Sequence, residues 1–171
     1  MTTRTLALSL LIAGLSIVPA IASAQSIVIF VRHAERADGG AQSQTMTSTP
    51  ADPLLSAAGE ARAARLAMML GESGIKAIYA TEYRRTQDTG KPLAAKLGLT
   101  VEAVPARDPA VLVNKAKAEH PKDVVMVVGH SNTVPEAIKA FGGPAIKMAD
   151  DEYNAIYVLV PATGALTLIR Y

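Results

Sequence analysis

The chain has 171 residues, 17 basic against 15 acidic, a formal net charge of +2, no cysteine and no tryptophan. Lack of cysteine excludes disulfide scaffolds, thiolate metal sites and cysteine nucleophiles, and it fits an oxidising compartment without proving one. The basic residues come as scattered pairs such as Arg84-Arg85, not as a stripe, so nucleic-acid binding has little support.

Along the chain, Arg4 is followed by a charge-free, largely apolar run from Leu6 to Val18, then Pro19 and the triplet Ala22-Ser23-Ala24. A basic start, a short apolar stretch and an A-x-A site predict a signal peptide over residues 1–24, removed on export to the periplasm. The run is too short to span a bilayer, so no stable membrane anchor is expected after cleavage. Residues 25–171 then form one domain, since no linker or repeat divides them.

Within that domain, Ile27-Val28-Ile29-Phe30-Val31 is a continuous apolar run, as expected of a strand covered on both faces. Ala37 to Pro53 is polar and Gly/Ser/Thr-rich, and predicts a loop; the segment Arg36 to Pro53, leaving the His33 motif directly, is either plain surface or a wall of a substrate pocket. A helix is predicted from a Ser56 cap to Gly71, with Ala63, Leu66, Ala67 and Leu70 on its core face and Met68-Met69 also packing in the core. Lys76–Ala80 predicts a strand. Arg84–Leu97 has helical spacing, but Pro92 predicts a break or kink. Thr100–Val104 predicts a third strand, and Asp108-Pro109 has the cap-and-first-turn chemistry that opens a helix. Val124–Val128 predicts a strand, about Pro135 to Phe141 a helix, and Tyr153–Val160 with Ala165–Tyr171 a strand pair around Pro161-Ala162-Thr163-Gly164. Strands alternating with helices predict a three-layer α/β/α domain with a mostly parallel sheet.

In such sheets, ligands bind beyond the carboxyl ends of the strands. Three of these ends carry reactive side chains: Arg32-His33-Ala34-Glu35, Thr81 to Thr86, and Gly129-His130-Ser131-Asn132. Two of only three histidines therefore occupy equivalent places. Arginine forks fit phosphate oxygens bidentately, and a histidine nitrogen can take a phosphoryl group that water later removes. A second histidine opposite could stabilise the transferring group. Met together, these residue types suit phosphoryl transfer.

Arg32-His33-Ala34-Glu35 resembles the R-H-[GA]-[EQ] signature of the histidine phosphatase superfamily, which has the phosphoglycerate mutase-like fold. Thr81 to Thr89 is similar to its S-x-x-x-R-[AT]-x-x-T segment, Leu54 to Gly59 to its L-[ST]-x-x-G helix start, and Gly129-His130-Ser131 to its G-H-[SG]. The resemblance implies that His33 is the nucleophile, with Arg32, Arg85 and His130 binding and polarising the phosphate. It implies a small exported phosphatase acting on a phosphomonoester or phosphoramidate, a small molecule or a phosphoprotein, with no cofactor. The acid segment of larger members has no match at Val101 to Ala106. Glu82, in the loop carrying Arg85, is then the first candidate proton donor and Asp108 the second. Glu35 is expected to order the nucleophile loop, Arg84 to face solvent, and His120 to lie at the surface of a helix end.

The alternatives are a non-catalytic phosphate-binding protein, a phosphomutase and a serine hydrolase using Ser131. Gly129-His130-Ser131-Asn132-Thr133 follows a strand like a nucleophile elbow, but Thr133 replaces the second glycine and no histidine follows His130. A mutase would need a lid of which the chain shows no trace. No metal is expected, because the histidines lack paired spacing and no carboxylate cluster is visible in the sequence.

Overall fold

The computed structural model describes residues 27–39 and 52–171. The expected signal peptide, and residues 40–51 of the expected loop, lie outside them. Among the described residues no helix is long and apolar enough to cross a membrane.

Six strands form one sheet in the order β3-β2-β4-β1-β5-β6, with β1 Ile27–Arg32, β2 Ile75–Thr81, β3 Val101–Val104, β4 Val124–Gly129, β5 Ala155–Val160 and β6 Ala165–Arg170. The first four run parallel to one another, while β5 runs antiparallel to β1 and β6 antiparallel to β5. The helices are α1 Ala57–Leu70, α2 Arg84–Leu97, α3 Pro109–Glu119 and α4 Thr133–Ala140.

The apolar runs of β1 and β4 have a direct structural reason. Side chains alternate across a strand, so a strand covered on both faces must be apolar at every position. Val28 and Phe30 of β1, with Val125 and Val127 of β4, enter one core against α3 and α4. Ile29 and Val31, with Met126 and Val128, enter the opposite core against α1 and α2. The result is the expected three-layer α/β/α domain. Fully burying one such aliphatic side chain contributes roughly 1.5–3 kcal/mol, so these two adjacent strands are a firm platform.

Three local expectations are corrected. Met68 and Met69 are exposed, at 70% and 46%, because the inward stripe of α1 is Gly59, Ala63, Leu66 and Ala67, and the methionines fall off it. The break expected at Pro92 is absent: α2 runs through it as one helix, held by a buried face of Thr86, Thr89, Gly90, Leu93 and Ala94. Helix α4 begins at Thr133, which places Pro135 in its first turn, where a missing N–H breaks no intrahelical bond.

Candidate active site

β1 and β4 lie side by side in register, with Arg32 opposite Gly129. Each chain continues from that point into a histidine, and the His33 N–H donates to the Gly129 carbonyl at 2.8 Å. The His33 and His130 rings consequently face each other edge to face, 5.2 Å between centroids. Both are buried, at 3% and 8% exposure.

The loop after β1 is tied down from three directions. Thr89 on α2 accepts the Ala34 N–H at 2.9 Å and donates to the Arg85 carbonyl, so one hydroxyl joins the His33 loop to the turn carrying Arg85. Ser56, the N-cap of α1, donates its N–H to the Glu35 carbonyl at 2.9 Å. The Glu35 carboxylate takes a two-pronged bond from Arg62 of α1, which holds it below the usual carboxylate range. The glycine in the helix-start motif has a steric cause: a Cβ on Gly59 would lie 2.3 Å from the Glu35 carbonyl oxygen. Glu35 thus sits where an orderer of the loop should.

His33 Nδ1 lies 2.8 Å from the Ala34 carbonyl oxygen. A carbonyl only accepts, so Nδ1 carries the proton and the Nε2 lone pair is available. Burial lowers the His33 pKa to about 4, against the backbone bond to Ala34 and with help from Arg32, Arg85 and Arg36. Burial likewise lowers His130 to about 3, reinforced by His33, Arg85, Arg32 and Arg36. Both rings are neutral at pH 7. His130 Nε2 bonds Thr81 Oγ1 at 2.8 Å, and Thr81 in turn meets Thr86 Oγ1 at 2.8 Å. The His130 N–H donates to Thr133 Oγ1 at 2.8 Å, and a Cβ on Gly129 would come within 2.7 Å of that same oxygen.

A cavity of about 400 Å³ opens above these rings, lined by Arg32, His33, Arg85 and His130. All four residues singled out as nucleophile and phosphate binders are therefore brought together. Arg32 lies over the Tyr153 ring at 4.1 Å and donates to the Ala149 and Asp150 carbonyls; Arg85 lies over the Tyr83 ring at 4.3 Å and reaches Asp52 at 3.4 Å. The Nε atoms of Arg32, Arg36 and Arg85 are buried with no hydrogen-bond partner among the described residues.

The candidate acids are placed elsewhere. Glu82 does not line the cavity; its carboxylate accepts the Ala106 N–H at 2.7 Å and braces the loop after β3. Asp108 caps α3 by accepting from Ala110 and Val111. Among the described residues the carboxylate that does line the cavity is Asp150, which accepts from the Ser131 hydroxyl at 2.6 Å. Sequence reasoning missed Asp150, along with Tyr153 and Arg107, which also line it; Arg36, at the start of the segment left open as surface or pocket wall, lines it too. Ser131 gives its hydroxyl to Asp150 and not to a histidine, so the Ser-His pair of a serine hydrolase is not formed there. Arg84 is exposed. His120 is the half-buried C-cap of α3, with Nδ1 2.9 Å from Asp123.

Away from the cavity the fold assembles a carboxylate cluster invisible in the sequence: ligand atoms of Glu102, Glu119 and His120 lie within 4.8 Å of one another. The Lys115 ammonium already sits against both carboxylates, at 3.1 and 2.7 Å.

Residues 28–107 match the profile of the histidine phosphatase superfamily, branch 1. Over that stretch the chain resembles this superfamily. Among solved structures, mycobacterial glucosyl-3-phosphoglycerate phosphatase in complex with inorganic phosphate is 16% identical, with 85% of this chain and 96% of that one covered and a TM-score of 0.62. The protein histidine phosphatase SixA complexed with tungstate is 18% identical over 84% and 94% of the two chains, with a TM-score of 0.61. At such identities the likeness is one of fold. No curated protein sequence matches the chain.

Proposed function

We propose that this protein is a metal-independent phosphatase that hydrolyses a phosphomonoester or phosphoramidate through a phosphohistidine on His33. The observation that carries the reading is a buried, neutral His33 whose Nδ1 is tied to a carbonyl, facing a cavity shared with Arg32, Arg85 and His130. The Nε2 lone pair attacks phosphorus while the bond from phosphorus to the leaving group breaks and its electron pair departs with that group. Arg32, Arg85 and His130 stabilise the charge spread over the equatorial oxygens, which is where catalysis of this reaction mainly resides.

Asp150 is the carboxyl best placed to give the leaving group its proton, because it is the acid at the cavity among the described residues. Glu82 is less suited, since its carboxylate is committed to Ala106. In the second half, water attacks the phosphohistidine, the N–P electron pair returns to Nε2, and the water proton passes to the Asp150 carboxylate. The cavity volume suits a small phosphorylated molecule or the phosphorylated side chain of a protein.

The test is p-nitrophenyl phosphate hydrolysis by the protein beside His33→Ala, from pH 4 to 8, with and without chelator. Chelator-resistant turnover that vanishes in the variant is expected. Turnover surviving His33→Ala means another nucleophile; activity restored only by added metal removes metal independence; no turnover at all favours a phosphate-binding protein.

Export to the periplasm belongs to the same proposal and rests on the sequence of residues 1–24. Its check is the N-terminal residue of the periplasmic protein, expected to be Gln25; retention of Met1 would refute it.

A further inference from the structure

We propose that Glu152 is a positioning residue of the reaction: it closes residues 149–153 into a turn that sets the Arg32 guanidinium and the Asp150 carboxylate at the cavity. This rests on the phosphatase reading and extends it to a residue that lies outside the cavity lining.

The connection between α4 and β5 meets the end of β1 through one side chain. Arg32 Nη1 donates to the Ala149 carbonyl at 3.3 Å and to the Asp150 carbonyl, and Nη2 reaches the Tyr153 hydroxyl at 3.4 Å. A guanidinium has five N–H donors in one plane. The turn takes three of them. The two left, one on Nη2 and one on Nε, make the side-on fork that matches two oxygens of a phosphoryl group. Nε has no partner among the described residues. Where that fork lies is therefore set by where the turn puts its carbonyls. Asp150 belongs to the same turn, its carboxylate held by the Ser131 hydroxyl.

What closes the turn is Glu152. Its backbone N–H donates to the Ala149 carbonyl at 3.1 Å, and its carboxylate accepts the Ala149 N–H at 3.4 Å. Both main-chain groups of Ala149 are thus bonded to one residue, and the second lone pair of that carbonyl is the one given to Arg32. Oε1 of the same carboxylate accepts from Tyr157 of β5 at 2.8 Å and from Arg170 of β6 at 2.9 Å. The turn is in this way fastened to two strands of the sheet. Burial alone would raise the Glu152 pKa; the bonds from Tyr157, Ala149 and Arg170 outweigh it and hold the group below the usual carboxylate range. With 12% of its side chain exposed, this carboxylate is committed to the turn and its strands, not to solvent.

The experiment compares the purified protein with Glu152→Ala, Glu152→Gln and Val113→Ala, each well below its Tm. Val113 is buried in the core and lines no part of the cavity, so its truncation lowers stability alone. Titration calorimetry with tungstate reads the arginine fork without turnover, and Glu152→Ala should bind it about tenfold more weakly. The ratio of kcat on p-nitrophenyl phosphate to kcat on an alkyl phosphate reads the Asp150 proton, and should rise about tenfold in the same variant. Glu152→Gln, which keeps an acceptor for the Ala149 N–H, should return to within about threefold of the wild type on both readings. Val113→Ala should lower Tm and move neither. Wild-type tungstate affinity in Glu152→Ala, an equal loss in Val113→Ala, no recovery in Glu152→Gln, or no tungstate binding by the wild type would each overturn the proposal. An unchanged substrate ratio would remove Asp150 from it. The calorimetry needs no phosphoryl transfer, so failure of the phosphatase reading would show separately, as wild-type protein without p-nitrophenyl phosphate turnover.

Discussion

The back wall of the cavity is made of strand ends and the front wall of connections. His33 and His130 continue directly from β1 and β4, buried and bonded to neighbouring backbone or hydroxyls. Arg107, Asp150 and Tyr153 come from the β3–α3 and α4–β5 connections and are more exposed. A position fixed by a packed sheet can hold reacting atoms to a fraction of an ångström, whereas a connection can change its side chains without disturbing either core. The difference suggests a division of labour: chemistry at the back, choice of leaving group at the front.

That contrast can be broken in four ways. Removing the proposed nucleophile, His33→Ala, should reduce kcat on every substrate by at least about a thousandfold in steady-state assays. At the front wall, Asp150→Asn should slow alkyl phosphates on the order of a hundredfold and p-nitrophenyl phosphate less than about threefold, because p-nitrophenolate leaves without help. Similar losses on both would deny Asp150 the proton transfer, and the same pair of assays on Glu82→Gln would show whether that residue supplies it.

A smaller effect is expected from Thr81→Val, which takes away the hydroxyl on His130 Nε2. Turnover should fall about tenfold whatever the leaving group, and urea unfolding should show a loss of about 1–3 kcal/mol. If instead the loss depends on the leaving group, the two walls are not separable.

The last test concerns pH. His33 and His130 have folded pKa values of about 4 and 3, below the ordinary 6.5, so the unfolded chain binds more protons between those limits. Stability should therefore be full above about pH 6.5 and fall as the pH drops toward 4. Thermal melts should show Tm lower at pH 5 than at pH 7 by roughly 5 °C or more, and by less in His130→Gln. A flat profile would mean that the back wall is open to water.

The same contrast explains what could be read in the sequence. Strands β1 and β4 were legible because burial on both faces demands unbroken apolar runs, and their ends pointed to His33 and His130. Ser56, Gly59 and Thr89 were legible as a motif, and the structure supplies its reason in three contacts on one loop. Met68 was misplaced because apolar character alone does not give helical phase. Asp150 and Tyr153 could not be found, since no period governs a connection and Arg32 meets them across more than a hundred residues of chain. Arg36 stood beside the motif, but nothing in its neighbours told whether it faced the cavity or solvent.

The position of β1 in the sheet has a consequence for how the molecule acquires its activity. It is first in sequence among the described strands, yet its two neighbours are β4 and β5, so both of its edges stay open until most of the chain is present. Pairings so distant in sequence are slow to form, because a long loop must close before any of them is rewarded. His33 is thus among the earliest of the described residues made and among the last to be seated. Chains ending before β5 should lack a functional site even where α1 and α2 have formed, and the rate at which activity appears during refolding should report the docking of the C-terminal hairpin.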